Sequence, residues 1–115
     1  MLIVAVAVML LAACVPQGSV LIQEKEQGAA FDVTFQDWSK QEKFTMQLAG
    51  GDEVRIAVQC TKGSLALTVT GEDGSQPYVG NTLTELAFTL TVEKTGAYTF
   101  AMAGSSATGT LTAAK

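Results

Sequence analysis

Residues 31–36 read Phe-Asp-Val-Thr-Phe-Gln, so that apolar and polar side chains alternate with a period of two. Successive side chains of a β-strand point to opposite faces, and this stretch therefore predicts a strand with one face in a core and the other in water. The same alternation recurs in segments that carry large apolar residues at every second position: 44–48, 54–60, 65–70, 88–92 and 98–102. A weaker segment, 108–113, has Leu111 as its only large apolar residue. No segment after the first 13 residues has a helical stripe.

Glycine-rich and polar segments lie between the predicted strands: 50–52, 62–64, 71–74, 94–96 and 104–106. Glycine tolerates positive φ, and Asp and Ser bond to the local backbone, so these segments predict turns. Seven or eight short strands with such spacing predict an all-β fold, an antiparallel β-sandwich of jelly-roll type over residues 29–115. Before it, Val20-Leu21-Ile22 is compatible either with a first edge strand or with a spacer.

The composition excludes several classes of function. The chain has 115 residues, a net charge of −4 and no histidine. Its length fits one domain, and an acidic chain with scattered cations argues against nucleic acid as a partner. Histidine-based triads and imidazole metal ligands are excluded. Ser39-Lys40 and Lys62-Gly63-Ser64 bring serine close to lysine in sequence, but both have the composition of turns. We therefore expect a protein that is not an enzyme.

Residues 1–13, MLIVAVAVMLLAA, form an uncharged apolar run. The run is shorter than the roughly 20 residues of a membrane-spanning helix and has the length of a signal-peptide apolar region, which predicts a signal-peptide helix. No Lys or Arg precedes it, so we expect a natural start upstream of Met1 or a trimmed amino end.

The end of this run, Leu11-Ala12-Ala13-Cys14, resembles the lipobox of bacterial lipoproteins. The resemblance implies cleavage after Ala13, a diacylglyceryl group on the Cys14 sulfur and, in many bacteria, acylation of the new amine. Residues 14–28 would then hold the lipidated cysteine and a spacer. The protein would be extracytoplasmic, with the lipid on Cys14 holding it to the bacterial cell membrane or outer membrane.

A second resemblance concerns the carboxyl-terminal part, roughly residues 42–115. Its turn and core residues look like those of the jelly-roll β-sandwich in small secreted lipoproteins of Firmicutes, and are more distantly similar to bacterial pre-peptidase carboxyl-terminal domains. The segments that carry it are 51–56, 63–65, 73–74, 95–100 and 107–109. The resemblance implies a fold and a location, and it transfers no catalytic residue.

Few side chains remain as candidates for a binding site. Trp38 falls out of phase with the apolar residues of its strand, and Tyr78 lies in a turn-rich segment, so either ring could stack on a glycan or peptide. The alternatives are a cover over one end of the core for Trp38 and a core-edge position for Tyr78. Glu72 and Asp73 offer carboxylates for a calcium ion, the only cofactor considered, although Asp-Gly is also a hairpin signal. Cys60 is in phase with a core face and predicts a structural thiol.

Two functions follow as expectations. The first is a tethered, non-catalytic module that binds a glycan or peptide; the alternative is an envelope component or accessory subunit that acts through protein–protein contacts. A deep pocket lined by Trp38 or Tyr78 would favour the first, whereas a flat threonine-rich face or a free sheet edge would favour a protein partner.

Overall fold

The computed structural model describes residues 18–115. In this range the chain has seven strands and one 3-10 turn: β1 (Ser19–Lys25), η1 (Glu26–Gly28), β2 (Ala30–Trp38), β3 (Gln41–Leu48), β4 (Glu53–Gly71), β5 (Tyr78–Leu83), β6 (Glu85–Thr91) and β7 (Gly96–Ala114). Every pairing is antiparallel. Among the described residues, no helix is long and apolar enough to cross a membrane. The predicted signal peptide and Cys14 lie outside this range.

The two long strands, β4 and β7, build both layers of the fold. Each has 19 residues and takes part in two sheets. In sheet I, residues 53–60 of β4 lie between β6 and residues 108–114 of β7. This part of β7 also pairs with β2, and β1 pairs with the other side of β2. In sheet II, residues 64–71 of β4 pair with β5 and with the first half of β7, beside which β3 lies. The sheet orders are therefore β1-β2-β7-β4-β6 and β3-β7-β4-β5.

Both long strands bend at the same place, where they pass from one sheet to the other. Gly63 in β4 and Ser106 in β7 have φ values of +66° and +49°, and the β4–β7 register shifts on both sides of Lys62. Such bulges turn a strand and change which residues face inward. The buried residues are accordingly even-numbered in 54–58 and odd-numbered in 65–69. The prediction of separate strands with turns at 62–64 and 104–106 is therefore wrong, because these segments are bends inside continuous strands.

The core lies between the two sheets and contains only apolar side chains among the described residues. Its largest fully buried members come from both layers: Trp38, Phe35, Phe100, Met46, Ile56, Leu65, Leu67, Met102 and Leu111. The all-β class and the antiparallel sandwich predicted from the alternating segments are confirmed.

The segment 20–22 forms part of a strand. β1 pairs with β2 from Ser19 opposite Gln36 to Lys25 opposite Ala30. Val20 and Ile22 are partly buried against the core, whereas Leu21 on the opposite face is 56% exposed. The sheet thus begins at Ser19, ahead of the predicted boundary at residue 29.

Candidate functional site

Trp38 belongs to the core. Its side chain is 1% exposed and its ring lies 6.0 Å from that of Phe35, centroid to centroid. The backbone of Asp37 has a φ of +46°, and the register between β2 and β7 shifts between Phe35 and Trp38. This bulge turns Trp38 inward although its number is out of phase with its strand. The interpretation of Trp38 as a ligand-stacking residue is corrected, since its face is not accessible.

Tyr78 closes one side of the sandwich. It stands at the start of β5 in sheet II, and its ring stacks on Phe88 of β6 in sheet I with centroids 4.5 Å apart. Both rings are half-buried and pack against the core. The predicted core-edge position agrees with this placement, and the stack leaves less of the Tyr78 face for a ligand.

All eight aromatic side chains of the protein lie in the described range, and each is buried or half-buried. Glycan recognition on sandwich surfaces relies on exposed rings that stack on sugars, and here such a platform is lacking among residues 18–115.

The carboxylates of Glu72 and Asp73 hold two loops together. One oxygen of Glu72 accepts the N–H of Ala97 at 2.9 Å. In Asp73, Oδ1 accepts the N–H and the hydroxyl of Ser75, at 3.1 and 2.7 Å, and Oδ2 accepts Lys94 Nζ at 3.2 Å. The hydrogen bonds from Ser75, followed by the Lys94 ammonium, lower the pKa of Asp73 from 3.8 to about 2.

This arrangement leaves few carboxylate oxygens as ligands for a cation. Calcium takes six to eight oxygen ligands, and within residues 18–115 no cluster of three or more His, Cys, Asp or Glu side chains is placed to hold a metal. The oxygens of Asp73 already receive protein donors. Glu72 and Asp73 therefore tie loop 72–77 to turn 92–96, beside an open cavity of about 420 Å³ lined in part by Ser75, Pro77 and Lys94.

Neither Cys60 nor Ser39 has the surroundings of a nucleophile. Cys60 is half-buried, burial raises the pKa of its thiol, and it forms no disulfide within the described residues. Ser39 Oγ accepts the N–H of Ser106 at 2.8 Å, which ties the β2–β3 connection to the bend of β7. The serine next to Lys40 thus has a structural contact.

The outer face of sheet II carries a shallow groove that the sequence did not reveal. It has a volume of about 460 Å³ and is lined by Gln41, Glu42, Lys43, Ala66, Thr68, Ala101, Met102 and Ala103. The register aligns Lys43, Ala101, Thr68 and Val79 in one row across β3, β7, β4 and β5. Val79, at the end of this row, is 53% exposed. We call this row and the residues lining the cavity the sheet II groove.

The sheet II groove forms because three outward-facing residues on its central strands, Ala66, Ala101 and Ala103, have small side chains. Alanine is depleted in β-strands, where larger side chains cover the pleated surface. Ala66 lies opposite Ala103, and Ala101 lies one row further along the sheet. Outward alanines were the available signal in the sequence, but only the register shows that they are neighbours.

The outer face of sheet I has small side chains around one charged residue. Ala57 lies between Ala87 and Thr112 in one row, and Arg55 lies between Thr89 and Ala114 in the next. A cavity of about 490 Å³ covers this area, and Arg55 is part of its lining. Arg55 thus places a cation on this face, whereas the two central strands lining the sheet II groove, β4 and β7, contribute no charged side chain to it.

Among known proteins, solved structures are similar to this chain. No family model matches the chain, and no curated protein matches it. The 1.0 Å crystal structure of the pre-peptidase C-terminal domain of a collagenase from Bacillus anthracis is similar, with a TM-score of 0.49 and 12% sequence identity over 85% of this chain and 88% of that one.

Proposed function

We propose that this protein is an extracytoplasmic lipoprotein whose sandwich is a non-catalytic module that binds a protein or peptide segment in the sheet II groove. The observation that carries the proposal is the groove itself, a floor of alanines on a face that offers no aromatic platform for sugars. Of the two expected roles, contact with a polypeptide partner is the one that this surface supports.

The chemistry of the groove suits a polypeptide. Protein interfaces combine an apolar centre with a polar rim. Here Ala101 and Ala103 leave room for a partner's side chains, and Val79 supplies exposed apolar surface at one end. Gln41 and Lys43 on the edge strand β3 provide polar groups at the other. On its other side, β3 has no partner strand among residues 18–115, and this edge offers backbone groups to which a partner strand can bond.

The residues before the sandwich support a lipid anchor. Leu11-Ala12-Ala13-Cys14 has the lipobox pattern, and all eighteen charged residues follow Cys14. Mass spectrometry of the membrane-extracted protein from its host should find an amino-terminal, acylated Cys14. Cys14→Ser should move the protein out of the membrane fraction. An unmodified Cys14 in the native protein would rule out this part of the proposal.

A matched pair of positions on β7 tests the groove. Ala101 and Thr112 are both exposed, the first in the sheet II groove and the second on the outer face of sheet I. A photoreactive phenylalanine analogue at 101, introduced in the natural host, should cross-link to a discrete protein, and the same group at 112 should not.

An arginine at each position provides the second measurement. Ala101→Arg fills the groove and adds charge, so it should abolish the contact, reported by cross-linking from an analogue at Lys43 in the same row. Thr112→Arg should leave that adduct unchanged. Equal loss from both variants, or adducts at 112 alone, would contradict the assignment of the groove.

A further inference from the structure

The two ends of the sandwich differ in their connections. One end, which we call the bend end, holds residues 39–40, 61–64, 84 and 104–107, linked by bonds such as Gly104 N–H to the Lys40 carbonyl and Cys60 N–H to the Thr84 carbonyl. The opposite end, the loop end, holds residues 26–29, 49–52, 72–77 and 92–95, joined by Gly51 N–H to the Val92 carbonyl and by the Lys94–Asp73 ion pair.

The chain enters the sandwich at the bend end. The N–H of Gly18 donates to the carbonyl of Gln36 at 2.9 Å, and the N–H of neighbouring Asp37 donates to Thr108 Oγ1 at 3.0 Å. Thr108 lies opposite Lys62, at the bend of β4. Gly18 is therefore fixed to the bend end, and β1 runs from there toward the loop end.

The distance from the proposed anchor is short. Gly18 follows Cys14 by four residues, and an extended chain spans at most about 3.6 Å per residue, so their Cα atoms are within about 15 Å of each other. The nine residues of β2 alone span about 30 Å from one end of sheet I to the other. A lipid on Cys14 thus keeps the bend end at the bilayer surface, while the loop end can extend well beyond it.

The charges of the two ends also favour the bend end as the one that faces the bilayer. The bend-end connections carry Lys40 and Lys62 without a carboxylate, and the charged residues close by on the adjoining strands, Asp37, Glu42, Lys43 and Glu85, bring this end close to neutral. The loop-end connections carry one cation, Lys94, against the carboxylates of Glu26, Asp52, Glu72, Asp73 and Glu93, and the nearby Lys25 and Lys115 leave this end acidic. An anionic lipid surface repels the loop end and not the bend end.

We infer that, in the lipidated protein, the bend end lies against an anionic membrane surface, with Lys40 and Lys62 toward the headgroups. The acidic loop end then faces the aqueous side. This inference rests on the proposed lipidation of Cys14, and it names the lipid surface as a second partner besides the one in the groove.

Two reporter positions test the orientation. In a Cys60→Ala background, Ser105→Cys and Gln76→Cys place a fluorescent label on exposed residues of the bend end and the loop end. The processed, lipidated variants are reconstituted into phosphatidylglycerol-containing vesicles whose lipids carry a headgroup spin label. The label at 105 should be quenched strongly and the label at 76 hardly at all. Equal quenching, or stronger quenching at 76, would overturn the orientation.

Two controls separate the possible failures. Mass spectra of each preparation report the lipid on Cys14, so an unlipidated product overturns the proposed anchoring and the orientation with it, whereas a lipidated product with equal quenching overturns the orientation alone. Replacing Lys40 and Lys62 together with glutamate should reduce the difference between the two labels. An unchanged difference would contradict the role of the lysines.

Discussion

The ring of Phe31 on β2 stacks against the ring of Phe44 on β3, with centroids 4.4 Å apart, although the two strands belong to opposite sheets. Phe44 in turn stacks on Phe100 of β7 at 4.9 Å, its partner in the register of sheet II. Only two residues, Ser39 and Lys40, separate β2 from β3. The three stacked rings join the two layers inside the core.

Removing the central ring should destabilise the fold strongly. Phe44 is 6% exposed, and Phe44→Ala leaves a cavity between two rings, which costs about 3–5 kcal/mol in typical cores. Thr45→Ala, on the exposed face of the same strand, should change the free energy of unfolding by less than about 0.5 kcal/mol. Urea unfolding with equal m-values measures both. Similar values for the two variants would mean that the ring stack does not hold the layers together.

Gly63 is needed at the bend for two reasons. Its φ is +66°, and a Cβ atom there would overlap the backbone carbonyl oxygens of Ser105 and Ser106. Gly51 has a φ of +92° but nothing within 4 Å of the same atom. Gly51→Ala should therefore cost only the left-handed conformation, about 1–2 kcal/mol, and Gly63→Ala clearly more. Equal midpoints of thermal unfolding for the two variants would contradict a close approach of the bends.

Alternation of side chains was sufficient to predict the strands and their buried faces. Phe31, Val33 and Phe35 are all buried, and so are Tyr98, Phe100 and Met102. Lys62-Gly63-Ser64 predicts a turn between two strands but forms a bend inside one strand. A bulge and a hairpin turn use the same residues, glycine with a small polar neighbour. Only pairing with β7 on both sides of Lys62 distinguishes them, and that pairing is between residues far apart in sequence.

Trp38 and the sheet II groove show the same limit on prediction. Trp38 is three residues from Phe35, so its burial depends on a bulge at Asp37 that the alternation does not predict. The groove depends on three alanines from two strands that become neighbours only in the final register. The alternation of side chains predicts which face of its own strand a residue occupies. A site also depends on which residues of neighbouring strands lie opposite each other, and the alternation does not predict that.

The burial of Trp38 predicts its fluorescence. It is the one tryptophan of the chain and is 1% exposed, so its emission should be blue-shifted in the folded protein and poorly quenched by iodide. Unfolding in urea should shift the emission to the red and restore quenching. Titration with glycans should leave the spectrum unchanged because the ring has no accessible face. Native emission at the wavelength of the unfolded chain would contradict this placement.

Cys60 should react slowly in the folded state. The thiol is half-buried, and desolvation raises its pKa, so less thiolate is present at neutral pH than in a free cysteine. Iodoacetamide should alkylate Cys60 much more slowly in the native protein than in urea, with a rate that rises with pH beyond the range where a free cysteine levels off. A Thr61→Cys variant in a Cys60→Ala background supplies an exposed control on the same strand. Native Cys60 that reacts as fast as this control would refute the assignment of a structural thiol.

Asp73 should make stability depend on pH in the acid range. Its pKa is about 2 in the folded protein against an ordinary 3.8, because Ser75 and Lys94 donate to the charged carboxylate. The folded state therefore binds the proton more weakly than the unfolded state, and the contribution is fully present above about pH 4. It falls as the pH is lowered toward 2, since protonation removes the acceptor for Lys94.

The variant Asp73→Asn isolates this contribution. It should be less stable than the wild type at pH 6, and the difference in free energy of unfolding should disappear as the pH approaches 2. Part of the difference should also be lost in 1 M salt, which screens the exposed Lys94 pair. Glu93→Gln is the matched control, since Glu93 lies next to Lys94 and makes no side-chain hydrogen bond or ion pair within residues 18–115. If Asp73→Asn and Glu93→Gln behave alike between pH 6 and pH 2, the hydrogen bonds of Asp73 do not stabilise the loop end.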